Sequence, residues 1–168
     1  MRSILISIKP EWVAKILNGE KTIEVRKTAP RCVLPIDVYI YCTKTIKPVS
    51  NYDWGEFTFN DLPKLGKVVA KFTLNNAEAI KLPYTKFGSD EWVGCEDERT
   101  LQTQTMDEKT LLEKSCLRED EIYGYLNFKH SPYNVGYAWH ISNLVVFDKP
   151  KEPPVHVPQA WCYVEEKE

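Results

Sequence analysis

The chain has 168 residues, of which 43% are hydrophobic and 27% are charged, and its net charge is −2. This composition is typical of an ordinary globular protein with a packed apolar core. It excludes a membrane-spanning protein, because no apolar run approaches the roughly 18 residues that a span requires. The first ten residues are too short and too strand-like for a signal peptide. We therefore expect a single soluble domain over residues 1–168, located in the cytoplasm and without a membrane partner.

The five cysteines are scattered along the chain, odd in number, and form no CxxC pair: Cys32, Cys42, Cys95, Cys116 and Cys162. Free thiols in a reducing compartment show this pattern, whereas zinc sites and disulfide frameworks require paired spacings. The sequence therefore predicts neither a metal site nor any other cofactor.

Charge is distributed unevenly along the chain. Residues 1–49 contain nine Lys or Arg against four Asp or Glu, a local net charge of +5, so the remainder carries −7. A basic patch of this kind can face phosphate even when the whole molecule is slightly acidic. The alternative is that these cations only solvate the surface.

The first 26 residues predict a strand, a short helix and a second strand. Residues 4–9 alternate, with isoleucines on one predicted face and Leu5, Ser7 and Lys9 on the other. Pro10 suits the first turn of a helix, and the Asn18-Gly19 pair suits its end. Residues 21–26 then alternate again, with Ile23 and Val25 pointing to one side.

The rest of the chain predicts further strands and two short acidic helices, without the rhythm of alternating parallel strands and helices. The strands are expected at 35–44, 66–80 and 136–150, the helices at 106–116 and 118–128, and irregular segments at 47–65 and 81–106. The proline-rich tail, residues 150–168, could add an edge strand at "AWCYV". This order predicts an α+β fold, a small mixed and mostly antiparallel β-barrel with short flanking helices.

The second strand carries an unusual concentration of charge. Lys21, Glu24 and Arg26 follow one another closely, and Thr22 shares a strand face with Glu24 and Arg26 at spacings of about 7 Å. A carboxylate can accept a hydrogen bond from an exocyclic base amine, while Lys and Arg hold phosphate. The alternative is a solvated sheet face on which these charges pair with neighbours, a contribution of about 0–1 kcal/mol.

Four more residues are candidates for the same site. Ser7 and Lys9 end the first strand on its predicted polar face. Trp12 is either packed in the core or a stacking platform for a base. Tyr41 could line a pocket wall, although packing across strands is the commoner role of a strand tyrosine.

The run "ISIKPEWVAKILNGEKTIEVRK" resembles the signature of the ASCH domain, a branch of the PUA-like superfamily. The segments "VYIYCTK", "GKVVAKF" and "YGYLNF…GYAWHISNLVVFDKP" support the resemblance, and "PQAWCYVE" is similar to the end of small bacterial and phage-encoded members. The resemblance implies a PUA-like β-barrel with a cleft where the first helix meets the barrel. It also implies RNA or nucleic-acid binding, with enzymatic activity in some members.

One enzymatic branch of this family resembles small amidohydrolases that act on N4-acetylcytidine, and its motif is similar to G-x-K-T-x-T-x-R. Gly19, Lys21, Thr22 and Arg26 match that motif, but position 24 is Glu where the motif has its second threonine. Glutamate at this position instead resembles the ASCH branch found in transcription coactivators, for which binding is expected.

Three hypotheses follow from the sequence. The first is an RNA- or nucleotide-binding protein with a charged cleft lined by Lys9, Lys21, Glu24 and Arg26. The second is a hydrolase on the same scaffold, an amidohydrolase on a modified nucleoside or a ribonuclease, in which Lys21 and Glu24 would be catalytic. The third is a protein-interaction module that uses the proline-rich tail, and its protein partner cannot be named from the sequence.

Overall fold

The structure is a computed structural model that describes residues 2–44, 65–81, 101, 103–126 and 135–165. Most of the two irregular segments expected at 47–65 and 81–106 lies outside these residues. The described elements are, in chain order, β1 (Arg2–Ile8), α1 (Pro10–Leu17), β2 (Ile23–Arg26), β3 (Ile36–Cys42), β4 (Lys67–Ile80), α2 (Glu108–Ser115), α3 (Glu119–Leu126), β5 (Gly136–Lys151) and β6 (Trp161–Glu165).

The six strands form one mixed sheet in the order β2-β5-β4-β3-β1-β6. β1 pairs in parallel with β3 and antiparallel with β6, and β3 pairs antiparallel with β4. The predicted mixed sheet with three short helices is therefore confirmed, as is the edge strand within the proline-rich tail. Among the described strands, β2 and β6 end the order without pairing with each other, so the sheet is not closed into a complete barrel.

Helix α1 begins and ends where its sequence predicts. Pro10 occupies the first turn, where its missing N–H costs nothing, and Glu11 places a negative charge at the positive end of the helix. Asn18 caps the C-terminal end and Gly19 follows at a φ of +83°, which favours glycine. The stripe formed by Val13, Ala14, Ile16 and Leu17 is buried, so this face of the helix is what holds it in place.

Strand β1 corrects one expectation. Its residues Ser3–Ile8 are all buried, including Leu5 and Ser7 on the face that alternation predicts to be polar. Leu5 belongs to an apolar cluster with Tyr41, Val68 and Val164. A strand covered on both faces gains from apolar residues at every position, which is why its alternation is weak.

The described residues divide into two compact units. The first comprises Met1–Thr22, Cys32–Asn76 and His140–Glu168, and the second comprises Ile23–Arg31 and Ala77–Trp139, so that β4 and β5 contribute residues to both. The second unit has its own core, in which Ile23, Val25 and Ile80 pack with apolar residues of α2 and α3. Whether the whole chain is one folding domain, as the sequence predicts, stays a prediction.

Candidate nucleic-acid interface

Strand β2 carries two buried charged side chains. Its alternation directs Ile23 and Val25 into the core of that unit, and it places Glu24 and Arg26 on the opposite face. Glu24 is 6% exposed and Arg26 is 7% exposed. The Arg26 Nη2 atom lies 2.9 Å from the Glu24 Oε1 atom, a charge-assisted hydrogen bond. The alternative of a solvated sheet face is therefore wrong for these two residues.

Lys21, in the first unit, is buried even more completely, with 2% of its surface exposed. Its backbone N–H donates to the Lys15 carbonyl at 2.9 Å, which fixes the chain directly after α1. Its Nζ atom lies 5.4 Å from the centre of the Trp12 ring, within the range of a cation–π contact. Lysine is almost never fully buried unless it is paired, so this placement requires compensating contacts.

Trp12 has a second lysine neighbour that the sequence analysis did not single out. Lys15 lies one helical turn after Trp12, and its Nζ atom is 5.6 Å from the ring centre. The spacing i, i+3 along a helix is the signal that could have identified this pair, because residues three apart share a helix face. Trp12 itself is half-buried rather than fully packed in the core.

Lys9 and Thr22 are exposed, and their backbone groups have structural roles. The Lys9 carbonyl accepts hydrogen bonds from the N–H groups of Trp12 and Val13 at the start of α1. The Thr22 carbonyl accepts from the Ile141 N–H at 3.0 Å. Both side chains therefore face solvent from well-fixed backbone positions.

Ser7 and Tyr41 are buried and take part in packing. The Ser7 hydroxyl donates to the Pro158 carbonyl at 2.6 Å, and the Ser7 N–H donates to the Ala160 carbonyl at 2.9 Å. A hydroxyl has one proton, so Ser7 cannot donate to a ligand while it holds this segment. Tyr41 is 8% exposed and packs with Leu5, Val68 and Val164.

Burial makes two of the cysteines poor nucleophiles. Burial raises the pKa of Cys42 to about 12, and burial also raises the pKa of Cys162. The thiolate is the reactive form, so both side chains are protonated and unreactive near neutral pH.

The described part of the chain has neither a cluster of metal ligands nor a helix that could span a membrane. Within residues 2–44, 65–81, 101, 103–126 and 135–165, no group of three or more His, Cys, Asp or Glu is placed to hold a metal ion. None of the helices found there is long and apolar enough to cross a membrane.

Comparison with known proteins gives a match in sequence and several in structure. No protein-family model matches the chain. An ASCH domain-containing ribonuclease from Zymomonas mobilis is 33% identical over 55 residues, which is 33% of this chain and 37% of that protein. The matched part is therefore little more than a third of the relative's length.

The solved structures extend the likeness to nearly the whole chain. The crystal structure of ASCH from Zymomonas mobilis has a TM-score of 0.60 at 15% identity, covering 98% of this chain and 88% of that one. Structures of two mutant forms of the same protein have a TM-score of 0.57 and cover the same share of this chain. These matches confirm the resemblance that the sequence motifs indicate.

Proposed function

We propose that this chain, which has the fold of ASCH domain proteins, binds RNA through the charged segment, defined as residues 21–26. The observation that carries the proposal is the burial of all three charged side chains that the sequence singles out there. Lys21, Glu24 and Arg26 are 2%, 6% and 7% exposed. Sequence alone allowed them to be an ordinary solvated edge.

Buried charges are costly unless they are paired, so a fold keeps them where their charge is used. A cation held in a partly desolvated position attracts phosphate more strongly than one surrounded by water. The net charge of +5 over residues 1–49 adds a longer-range attraction for a polyanion.

The relative named as a ribonuclease makes RNA the ligand to test before others. A free nucleotide or a modified nucleoside would require the same combination of cation and carboxylate, and remains the alternative ligand. The amidohydrolase hypothesis is less favoured, because the segment has Glu24 where the amidohydrolase motif has threonine.

The test is the binding of a fluorescently labelled single-stranded RNA, measured by anisotropy at low and near-physiological salt. We expect Lys21→Met to weaken binding at least tenfold and to reduce the salt dependence by about 0.7 in the log–log slope for each phosphate that is no longer neutralised. Lys114→Met is the matched control, because it removes an exposed lysine from the last turn of α2. Circular dichroism of both variants verifies that they fold.

Two outcomes would count against the proposal. One is a wild-type protein that shows no salt-sensitive RNA binding. The other is an equal loss of affinity in Lys21→Met and Lys114→Met, which would indicate attraction by overall charge alone. In the first case a panel of nucleotides and modified nucleosides is the next ligand set to measure.

Ribonuclease activity is the second candidate, favoured by the buried Glu24–Arg26 pair together with the name of the relative. In RNA cleavage of the simplest kind, a carboxylate such as Glu24 takes the proton of a 2′-hydroxyl. The 2′-oxygen then forms a bond to phosphorus, the bond from phosphorus to the 5′-oxygen breaks, and that oxygen is protonated by water. The products are a 2′,3′-cyclic phosphate and a 5′-hydroxyl, and Arg26 would stabilise the negative charge that develops on phosphorus.

Glu24→Gln separates this activity from binding. We expect cleavage to fall by a factor of about 100 or more while the RNA affinity changes less than about threefold. Glu78→Gln is the matched control, since Glu78 is a glutamate of the same unit that is 4% exposed. Cleavage by Glu24→Gln at the wild-type rate would eliminate Glu24 as the base, and cleavage of an all-deoxy strand would eliminate the 2′-hydroxyl route.

A further inference from the structure

We infer that Trp12, Lys15 and Lys21 form a base-and-phosphate subsite that binds one unpaired nucleotide of an RNA strand. The inference rests on the RNA binding proposed above and makes it more specific. It names single-stranded RNA, or an unpaired loop, as the substrate class and assigns a role to Lys15.

The geometry of the subsite lies within the first unit. Trp12 is in the first turn of α1 and is half-buried, while the helix is held by its buried stripe of other residues. Two ammonium groups lie near the indole ring, with the Lys15 Nζ atom 5.6 Å and the Lys21 Nζ atom 5.4 Å from its centre. Core packing alone does not require a half-buried tryptophan beside two cations.

The two lysines differ in a way that suggests their roles. Lys21 is 2% exposed, so its position beside the ring is fixed by the surrounding protein. Lys15 is only half-buried, and a long lysine side chain on a helix surface can move its ammonium group at little cost. When a base stacks on the indole, Lys15 leaves the ring and contacts the adjoining phosphate, whereas Lys21 stays in place.

The chemistry of this arrangement selects an unpaired base. Aromatic side chains bind nucleic acid by stacking, and every base has a π-face that can take part. In a duplex the faces of each base are covered by its neighbours, so only an unstacked base can reach the ring. The subsite should therefore discriminate between single strands and duplexes and be tolerant of base identity.

The decisive experiment is a double-mutant cycle between the protein and the RNA. Affinity is measured by anisotropy for wild type and Trp12→Leu, each with an intact single strand and with strands that carry one abasic site at successive positions. We expect Trp12→Leu to weaken binding of the intact strand about tenfold, with no change for a duplex. One abasic position should lower the RNA affinity of the wild-type protein about tenfold. The same position should change the affinity of Trp12→Leu little, because the ring and the base take part in one stacking interaction.

Three further variants sharpen the assignment. Trp12→Phe keeps an aromatic face and should retain most of the affinity. Lys15→Met should reduce the salt slope by about 0.7, while Trp12→Leu should leave that slope unchanged. Tyr125→Leu is the matched control, because the Lys27 Nζ atom lies 5.4 Å from the centre of the Tyr125 ring in an equivalent contact. The RNA affinity of this variant should equal that of the wild-type protein.

The possible failures are distinguishable. Equal abasic penalties in wild type and Trp12→Leu, with binding still dependent on Lys21, would overturn the subsite and leave the proposed RNA binding intact. A wild-type protein that binds no RNA would overturn both. If Trp12→Leu does not fold, the abasic scan of the wild-type protein tests the subsite alone. The subsite would be overturned if no abasic position lowered the RNA affinity more than threefold.

Discussion

Two buried carboxylates in the second unit have different kinds of partner. Glu24 on β2 pairs with another buried charge, the Arg26 guanidinium at 2.9 Å. Glu78 on β4 accepts hydrogen bonds from the N–H and the hydroxyl of Thr105, at 2.9 Å and 2.6 Å. Their exposures are nearly the same, 6% and 4%.

The difference separates an anchoring role from a candidate functional one. Glu78 fixes the turn that leads into α2 by accepting from two neutral donors of Thr105. Glu24 and Arg26 bring two charges into the interior, a more costly arrangement for which a pair of apolar side chains would serve the fold equally well. Burial alone therefore does not identify a site, and the chemical nature of the partner is the more useful guide.

The largest expected effect comes from breaking the Glu24–Arg26 pair. We expect Arg26→Met to lower the free energy of unfolding by about 3 kcal/mol, because Glu24 loses its guanidinium partner while remaining buried. Urea unfolding followed by circular dichroism measures this. Arg118→Met is the control, since it removes an exposed arginine that pairs with Asp120, and we expect no measurable change.

A double variant makes the same comparison sharper. Replacing both members of the pair, as Glu24→Leu with Arg26→Met, should recover most of the lost stability, because neither charge is then left without its partner. The double variant should nevertheless bind RNA more weakly than the wild-type protein, because Arg26 no longer contacts phosphate. Full stability together with wild-type RNA affinity would show that the pair has no function in binding.

Removing the Glu78 carboxylate should have a smaller effect on stability and none on RNA affinity. Glu78→Leu deprives both Thr105 donors of their acceptor, and we expect a loss of about 2 kcal/mol in the free energy of unfolding. Glu78→Gln keeps one carbonyl oxygen and should lose about 1 kcal/mol. Hydrogen exchange at the Thr105 amide locates the change, and a fall in RNA affinity would contradict the anchoring role.

Cys42 is a buried titratable group that stays uncharged, and it predicts a dependence on pH. Its pKa in the folded protein is about 12, compared with an ordinary value of 9.0 that applies to the unfolded chain. Between these values the unfolded chain releases the proton and the folded protein keeps it, so stability falls as the pH rises. The contribution is up to about 1.4 kcal/mol per pH unit.

Urea midpoints at pH 8, 9 and 10 measure this dependence, with Cys42→Val as the control. Valine has a similar volume and no titratable proton, so the decline in stability above pH 9 should be smaller in the variant. Identical declines in the two proteins would show that other groups account for the whole effect.

Local sequence patterns predicted the elements because each depends on its own residues. Pro10 and the Asn18-Gly19 pair specify the ends of α1, and the short edge strand at residues 161–165 was expected from "AWCYV" within the tail. The pattern in β2 also predicted correctly that Ile23 and Val25 enter the core. None of these three predictions needs knowledge of distant parts of the chain.

The features that sequence did not reveal depend on residues far apart in the chain. The burial of Leu5 on the second face of β1 requires β3, β4 and β6 to be in place. The burial of Glu24 and Arg26 likewise depends on tertiary neighbours, so the same alternation fitted a solvated edge and an interior pair. Closure of the sheet would require β2 to pair with β6, and no local sequence pattern determines whether two distant strands pair.

Replacement of Ser7 has the smallest predicted effect. It tests whether Ser7, which the sequence places in the candidate site, only stabilises the fold, as Glu78 does. Its hydroxyl donates to the carbonyl of Pro158, 151 positions away, and holds the segment that precedes β6. Ser7→Ala should lower the free energy of unfolding by about 1 kcal/mol and increase protease sensitivity at residues 152–160, with RNA affinity unchanged. Ser7→Cys is a useful companion, because a thiol is a weaker donor of similar shape and should give an intermediate result. A tenfold loss of RNA affinity in Ser7→Ala without a change in protease sensitivity would instead place Ser7 in the binding site, as its position at the end of β1 predicts.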